Sequence, residues 1–229
     1  MKLACDLLIR YSPNANECLK EKKMKSWEVT AITNFILSCE AFLAGGFLLA
    51  RAPSAPSAGY FWALAILALA AGTLVGGIDH GFFEQKGDTK SRMVMQKATW
   101  ILTGIMTFLA LLTVLYQFAN GALRLVFVCV GLVQLVLFAF LAVRIHNFLI
   151  VIINYAPVLI ALLVLNLIGI GNGTGSWYMV AGVLVSFLAG ALQALAVDTF
   201  TPVDRNGIYH VVMMAAVALF FLSGLSIKG

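Results

Sequence analysis

Charge is scarce in this chain. Only 11% of its 229 residues are Asp, Glu, Lys or Arg, against roughly a quarter in an ordinary soluble domain. A surface built from so few charges does not keep a water-soluble domain of this size in solution. The net charge of +5 is therefore no footprint for nucleic acid, and no nucleic-acid partner is expected. Cysteine is nearly as rare, with four residues at no spacing that suggests a disulfide framework or a thiolate metal site. Histidine occurs three times, and no two lie mid-helix on facing spans, which speaks against haem. The final apolar stretch holds no lysine before its last residues, so a Schiff base within it is excluded. No cleavable leader is expected, because the apolar run in "MKLACDLLIR" is too short for one. No internal repeat is present.

What fills the chain is apolar sequence. Hydrophobic residues make up 62%, and the mean hydropathy is +0.97. Seven stretches, at 29–50, 60–83, 99–118, 123–143, 148–169, 176–197 and 207–225, are each long enough to cross a hydrocarbon core about 30 Å thick. The expectation is an all-α integral membrane protein, a seven-helix transmembrane bundle over 27–229 behind an N-terminal segment over 1–26. The fourth and fifth stretches are separated only by "RIHN", so a single long helix bent near Pro157 is the competing reading.

Lysine and arginine set the expected orientation. Twelve fall on the side shared by the N-terminus and the second, fourth and sixth connections. Arg51, Arg124 and Lys228 fall on the other side. The N-terminus is expected in the cytoplasm and the C-terminus outside, in the plasma (inner) membrane. The Gly-rich "GIGNGTGS" (169–176) then reads as an outer turn rather than a phosphate-binding loop.

Polar side chains at membrane depth are costly and need a reason. Most of them collect at the cytoplasmic ends of the spans. Asn34 lies on the first, Asp79 and His80 end the second, Lys97 begins the third, and Asn154 lies in the fifth. Gln193 and Asp198 close the sixth, while Asp204, Arg205, Asn206 and His210 open the seventh. Asn206 and His210 are four residues apart and share one helical face. A polar site opening to the cytoplasm is expected from Asp79, His80, Lys97, Asn206 and His210. Glu40 stands apart, near the middle of the first span. It requires a hydrogen-bonding neighbour there or serves a proton path.

The helix-two segment "GGIDHGFF" (76–83) and the helix-seven segment "DRNGIYHVVMMAAVALFFLSG" (204–224) carry a resemblance. With seven spans, they resemble the CREST superfamily of membrane hydrolases, which includes the alkaline ceramidases and the adiponectin-receptor (PAQR) proteins. They are similar also to a group of bacterial seven-span proteins with a helix-two GG…HGF and a helix-seven N…YH. The CREST pattern implies a Ser four residues before a helix-two His, an Asp on helix three, and H-x-x-x-H on helix seven. Its three His hold zinc for hydrolysis of lipid amides. In this chain His80 and His210 keep two of the five positions, whereas Gly76 stands for the Ser, Asn206 for the first helix-seven His, and Lys97 near the Asp.

Catalytic zinc takes three protein ligands and an open position, and Asn is a poor ligand. His80 and His210 supply two, with Asp79 or Asp204 as the available third. An ammonium at Lys97 repels a dication and is expected instead to bond to His80, Asn206 and Asp79. The resulting expectation is a non-catalytic, CREST-like site for a ligand or membrane lipid, or an accessory subunit among other membrane subunits. The competing readings are a zinc-dependent lipid amide hydrolase, a proton-coupled transporter using Glu40 and Asp79, and a structural subunit.

Overall fold

The computed structural model describes residues 24–52, 56–195 and 203–227. The expected segment before Met24, Cys5, Cys18, Asp198 and Lys228 lie outside them. Seven long helices follow one another: α1 (Ser26–Arg51), α2 (Ala58–Ile78), α3 (Lys90–Phe118), α4 (Gly121–Arg144), α5 (Leu149–Ile170), α6 (Trp177–Ala194) and α7 (Arg205–Ser226). With its extension to Lys86, α2 joins the other six as a helix long and apolar enough to cross a membrane.

Local chemistry sets the ends. The Ser57, Thr89, Ser176 and Asp204 side chains each accept a bond from a first-turn amide of the helix that follows, satisfying a donor that has no partner within the helix. Thr89 explains the one large departure from the expected boundaries. α3 begins nine residues before 99, because apolar counting finds the part that suits lipid and not the capped, polar turns that lead into it. The break between α4 and α5 is real. Ile145 is extended, and the Asn147 Oδ1 accepts from the Leu149 amide at 2.9 Å to start a new helix. Pro157 lies inside α5. At 169–176 the chain makes a turn, with Gly173 at φ 75° and the Asn166 side chain accepting from Ser176 N at 3.1 Å.

The helices do not pack in chain order. α1, α2, α3, α5, α6 and α7 form a ring in which each touches the next and α7 returns to α1. α4 lies outside, against α3 and α5. Glycine allows the close approaches. A Cβ on Gly104 of α3 would lie 2.6 Å from the Phe138 ring of α4, and one on Gly182 of α6 would lie 2.6 Å from Phe220 of α7. The outside of the bundle is apolar, with Leu43, Val133, Val136 and Ile168 each more than two-thirds exposed.

Candidate functional site

One end of the ring gathers the polar residues, and α2 is distorted there. From Asp79 to Phe83 it widens into a π-helical turn, closed by the Glu84 amide donating to the Asp79 carbonyl. Such turns re-aim side chains and recur at functional sites. Gly77 and Gly81 let this turn lie directly on Phe35 and Ala31 of α1.

The turn projects two side chains into a charged network. The Nδ1 of His80 lies 2.6 Å from Glu84 Oε2. Arg92, one turn into α3, donates to Glu84 Oε1 at 3.2 Å and lies 3.9 Å from Asp79 Oδ2 and 3.5 Å from Asp88. Asp79 itself is 3% exposed, and its Oδ1 is closed off from solvent with no hydrogen-bond partner among the described residues.

α7 contributes the facing wall. Asp204 caps the helix through the Gly207 amide at 2.8 Å and also accepts from the Thr30 hydroxyl at 2.8 Å. Two residues on, the Asn206 Oδ1 accepts from Gln193 of α6 at 3.1 Å. His210 is buried, with its Nδ1 3.1 Å from the Thr33 hydroxyl. That hydroxyl has one proton, and carbonyls of its own helix lie 3.0 Å away to take it. The hydrogen-bond network therefore assigns the proton of the pair to Nδ1 and a lone pair to Nε2.

Between these walls lies a cavity of about 410 Å³, lined from all six helices of the ring. Asp79, His80, Asn206 and His210 line it together, with Asn34, Gln96 and Gln193. Farther along, its lining becomes Thr103, Tyr155, Leu162, Ile66, Trp62 and Phe220. Trp62 precedes Asp79 by seventeen helical residues, roughly 25 Å along α2. The cavity is long, polar at one end and apolar at the other.

Four of the five residues expected at the polar site thus share one cavity. Lys97 does not. Its Nζ donates to the Val143 carbonyl, at the exposed C-terminal end of α4, so it is not the ammonium expected beside His80, Asn206 and Asp79. Arg92 is the cation beside Asp79. Glu40 is half-buried on α1, outside the cavity lining, and makes no hydrogen bond or ion pair among the described residues. Asn154 turns toward α4, where Gln134 donates to it at 3.1 Å. Its neighbour Tyr155 takes the cavity face instead.

Sequence reasoning missed Gln96 and Tyr155 as cavity residues and Arg92 as the partner of Asp79. A signal existed for α3. Arg92, Gln96, Thr99 and Thr103 recur at spacings of four, three and four, a polar stripe on one face of a helix otherwise suited to lipid.

Among the described residues no three His, Cys, Asp or Glu side chains gather into a metal-holding group. The candidates for a third ligand are otherwise engaged, Asp204 as a helix cap and Asp79 beside a guanidinium. At the position where the resemblance implies Ser, a Cβ on Gly76 would lie 3.3 Å from Asn34 Oδ1.

No curated protein and no solved structure matches this chain. One family model does, over residues 29–228, and its description reads "Family of unknown function (DUF6962)". That match runs through all seven helices, the six of the ring and the one outside it, so the chain belongs to the DUF6962 family.

Proposed function

We propose that this protein is an integral membrane protein, N-terminus in the cytoplasm, that binds a single-chain amphiphile without chemically altering it. The observation that carries the reading is the shape and lining of the cavity: closed around by six helices, polar at the Asp79 end and apolar at the Trp62 end. Pockets of this kind hold ligands through apolar walls and a few placed polar groups. The apolar outside of the bundle supports residence in a bilayer, where leucines and valines need no cover. The arginine and lysine bias supports the orientation, with the polar mouth toward the cytoplasm. A binding role is favoured over hydrolysis because the imidazoles and carboxylates at the mouth are tied to one another, to a cap and to Arg92.

Trp62 and Trp100 both line the cavity, one at each part of its length. This permits a direct test. A dodecyl-chain amphiphile brominated at the tail tip, added to protein in neutral nanodiscs, should quench Trp62 fluorescence more strongly than Trp100 fluorescence. Trp62→Phe and Trp100→Phe variants separate the two signals. Thr103→Trp, which fills the middle of the cavity, should abolish the saturable part of the quenching. Equal quenching with and without the block would overturn the reading.

A further inference from the structure

The charges at the polar end of the cavity are matched within the protein. The Glu84 carboxylate holds the His80 Nδ1 at 2.6 Å. Arg92 stands beside Glu84 and Asp79, at 3.2 and 3.9 Å, and Gln96 also lies beside the Asp79 carboxylate. The one Asp79 oxygen without a partner, Oδ1, is closed off from the cavity. No lysine or arginine among the described residues lines the cavity. A charged head of either sign therefore gives up its water without meeting an unmatched opposite charge, which is costly.

The unfinished groups at this end are uncharged, and both stand on α7. His210 is 7% exposed and belongs to the lining. With its Nδ1 proton held at Thr33, Nε2 carries a lone pair. That Nε2 has no hydrogen-bond partner among the described residues and, unlike Asp79 Oδ1, is not closed off, so it opens on the cavity. It is a buried acceptor that lacks a donor, and a ligand that brings an O–H completes it. One turn back on the same face, Asn206 has its Oδ1 taken by Gln193. The other end of that carboxamide, Nδ2, is a donor with no partner among the described residues, and it too is not closed off. An acceptor and a donor four residues apart on one helix face are a pair that a single hydroxyl group satisfies, donating to one and accepting from the other.

We propose that the amphiphile carries an uncharged hydroxyl head, which donates its proton to His210 Nε2 and accepts from Asn206 Nδ2 while the tail runs toward Trp62. This inference rests on the amphiphile-binding reading above and names the head group of the ligand. The ion pairs of His80, Glu84, Asp79 and Arg92 then have a part in selection: by satisfying one another they leave the mouth without a charge to offer.

The test keeps the tail constant and changes the head. Dodecanol, dodecyl methyl ether, dodecylamine and dodecanoate are titrated against the full chain in nanodiscs of neutral lipid, with the Thr103→Trp protein as the blank for partition into the bilayer. The titrations are run at about pH 8, where the amine and the carboxylate are both ionised. The ether keeps the head oxygen and loses its proton. Dodecanol should bind on the order of tenfold more tightly than the ether and than either charged chain. His210→Phe should bring the alcohol down to the level of the ether, with ether binding still present, which also shows that the variant is folded. Equal binding of alcohol and ether, or preference for the amine or the carboxylate, overturns the hydroxyl assignment and leaves the amphiphile reading standing. An alcohol preference that survives His210→Phe overturns the placement of the head at His210. Saturable binding of none of the four overturns the amphiphile reading itself. Because the head-group series is run on the unsubstituted protein, its result does not depend on the variant folding.

Discussion

The Trp62 indole of α2 donates to the Phe220 carbonyl of α7 at 3.0 Å, and the two rings meet edge to face with centroids 5.3 Å apart. This contact closes the apolar end of the cavity with a directional bond, where van der Waals contact alone would leave the helices free to slide. Leu48 of α1 packs over the same point, close to Gly224. Trp62→Phe should therefore lower stability by about 1–2 kcal/mol, from the lost bond and the lost indole area. Unfolding in mixed micelles measures it. Unchanged stability would show that the bond contributes nothing to closure.

The glycine at 104 separates the fold of the ring from the docking of α4. A Cβ there would lie 2.6 Å from the Phe138 ring, which is buried. Gly104→Val should cost about 1–3 kcal/mol by overpacking. It does not line the large cavity, so amphiphile binding should persist at temperatures where the protein remains folded. Loss of binding with no loss of stability would contradict this division.

Arg92 serves three carboxylates, two of them partly buried. Arg92→Met should destabilise by roughly 1–3 kcal/mol, less than a fully buried pair because Arg92 and Glu84 retain some solvent contact. Adding Glu84→Gln should recover part of that loss, since one of the unpaired charges is then removed. Asp88 is almost fully exposed, so Asp88→Asn should change nothing measurable. A thermal unfolding series of the four proteins checks the order. If the double variant is the least stable, the network is not organised around charge.

The proposed orientation is open to labelling. Lys86 follows α2, and Asn172 lies in the turn after α5. With Cys5, Cys18, Cys39 and Cys129 replaced by Ser, a single cysteine at 86 should react with an impermeant reagent only from the cytoplasmic side. One at 172 should react only from the opposite side. Reaction of both from one side would break the alternation of the spans.

The count of helices was legible because each span is an unbroken apolar run, and such runs need no tertiary information. Where α3 begins was not, since its first turns are polar and depend on the Thr89 cap. The meeting of Asp79, His80, Asn206 and His210 was legible from alternation: helices that cross in turn bring their same-side ends together. Lys97 and Arg92 exchanged roles for a rotational reason. The two are five residues apart on α3, and five residues is far enough around a helix to turn one toward the cavity end of α2 and the other toward α4. Sequence gives the depth of a side chain more readily than its direction. The same limit applied to Asn154 and Tyr155, where adjacent residues face different neighbours.

The contact between α1 and α7 has a consequence for how the protein is made. Thr33 and His210 are 177 positions apart, and every other seam of the ring joins helices that are consecutive or separated by α4 alone. During synthesis α1, α2 and α3 can pack as they emerge, while the last wall of the cavity is absent until α7 has been delivered. The binding chamber is therefore a late product of assembly, and a chain stopped after α6 has an open groove in its place. On the proposed reading, an amphiphile that binds only the finished ring would favour its completion by mass action.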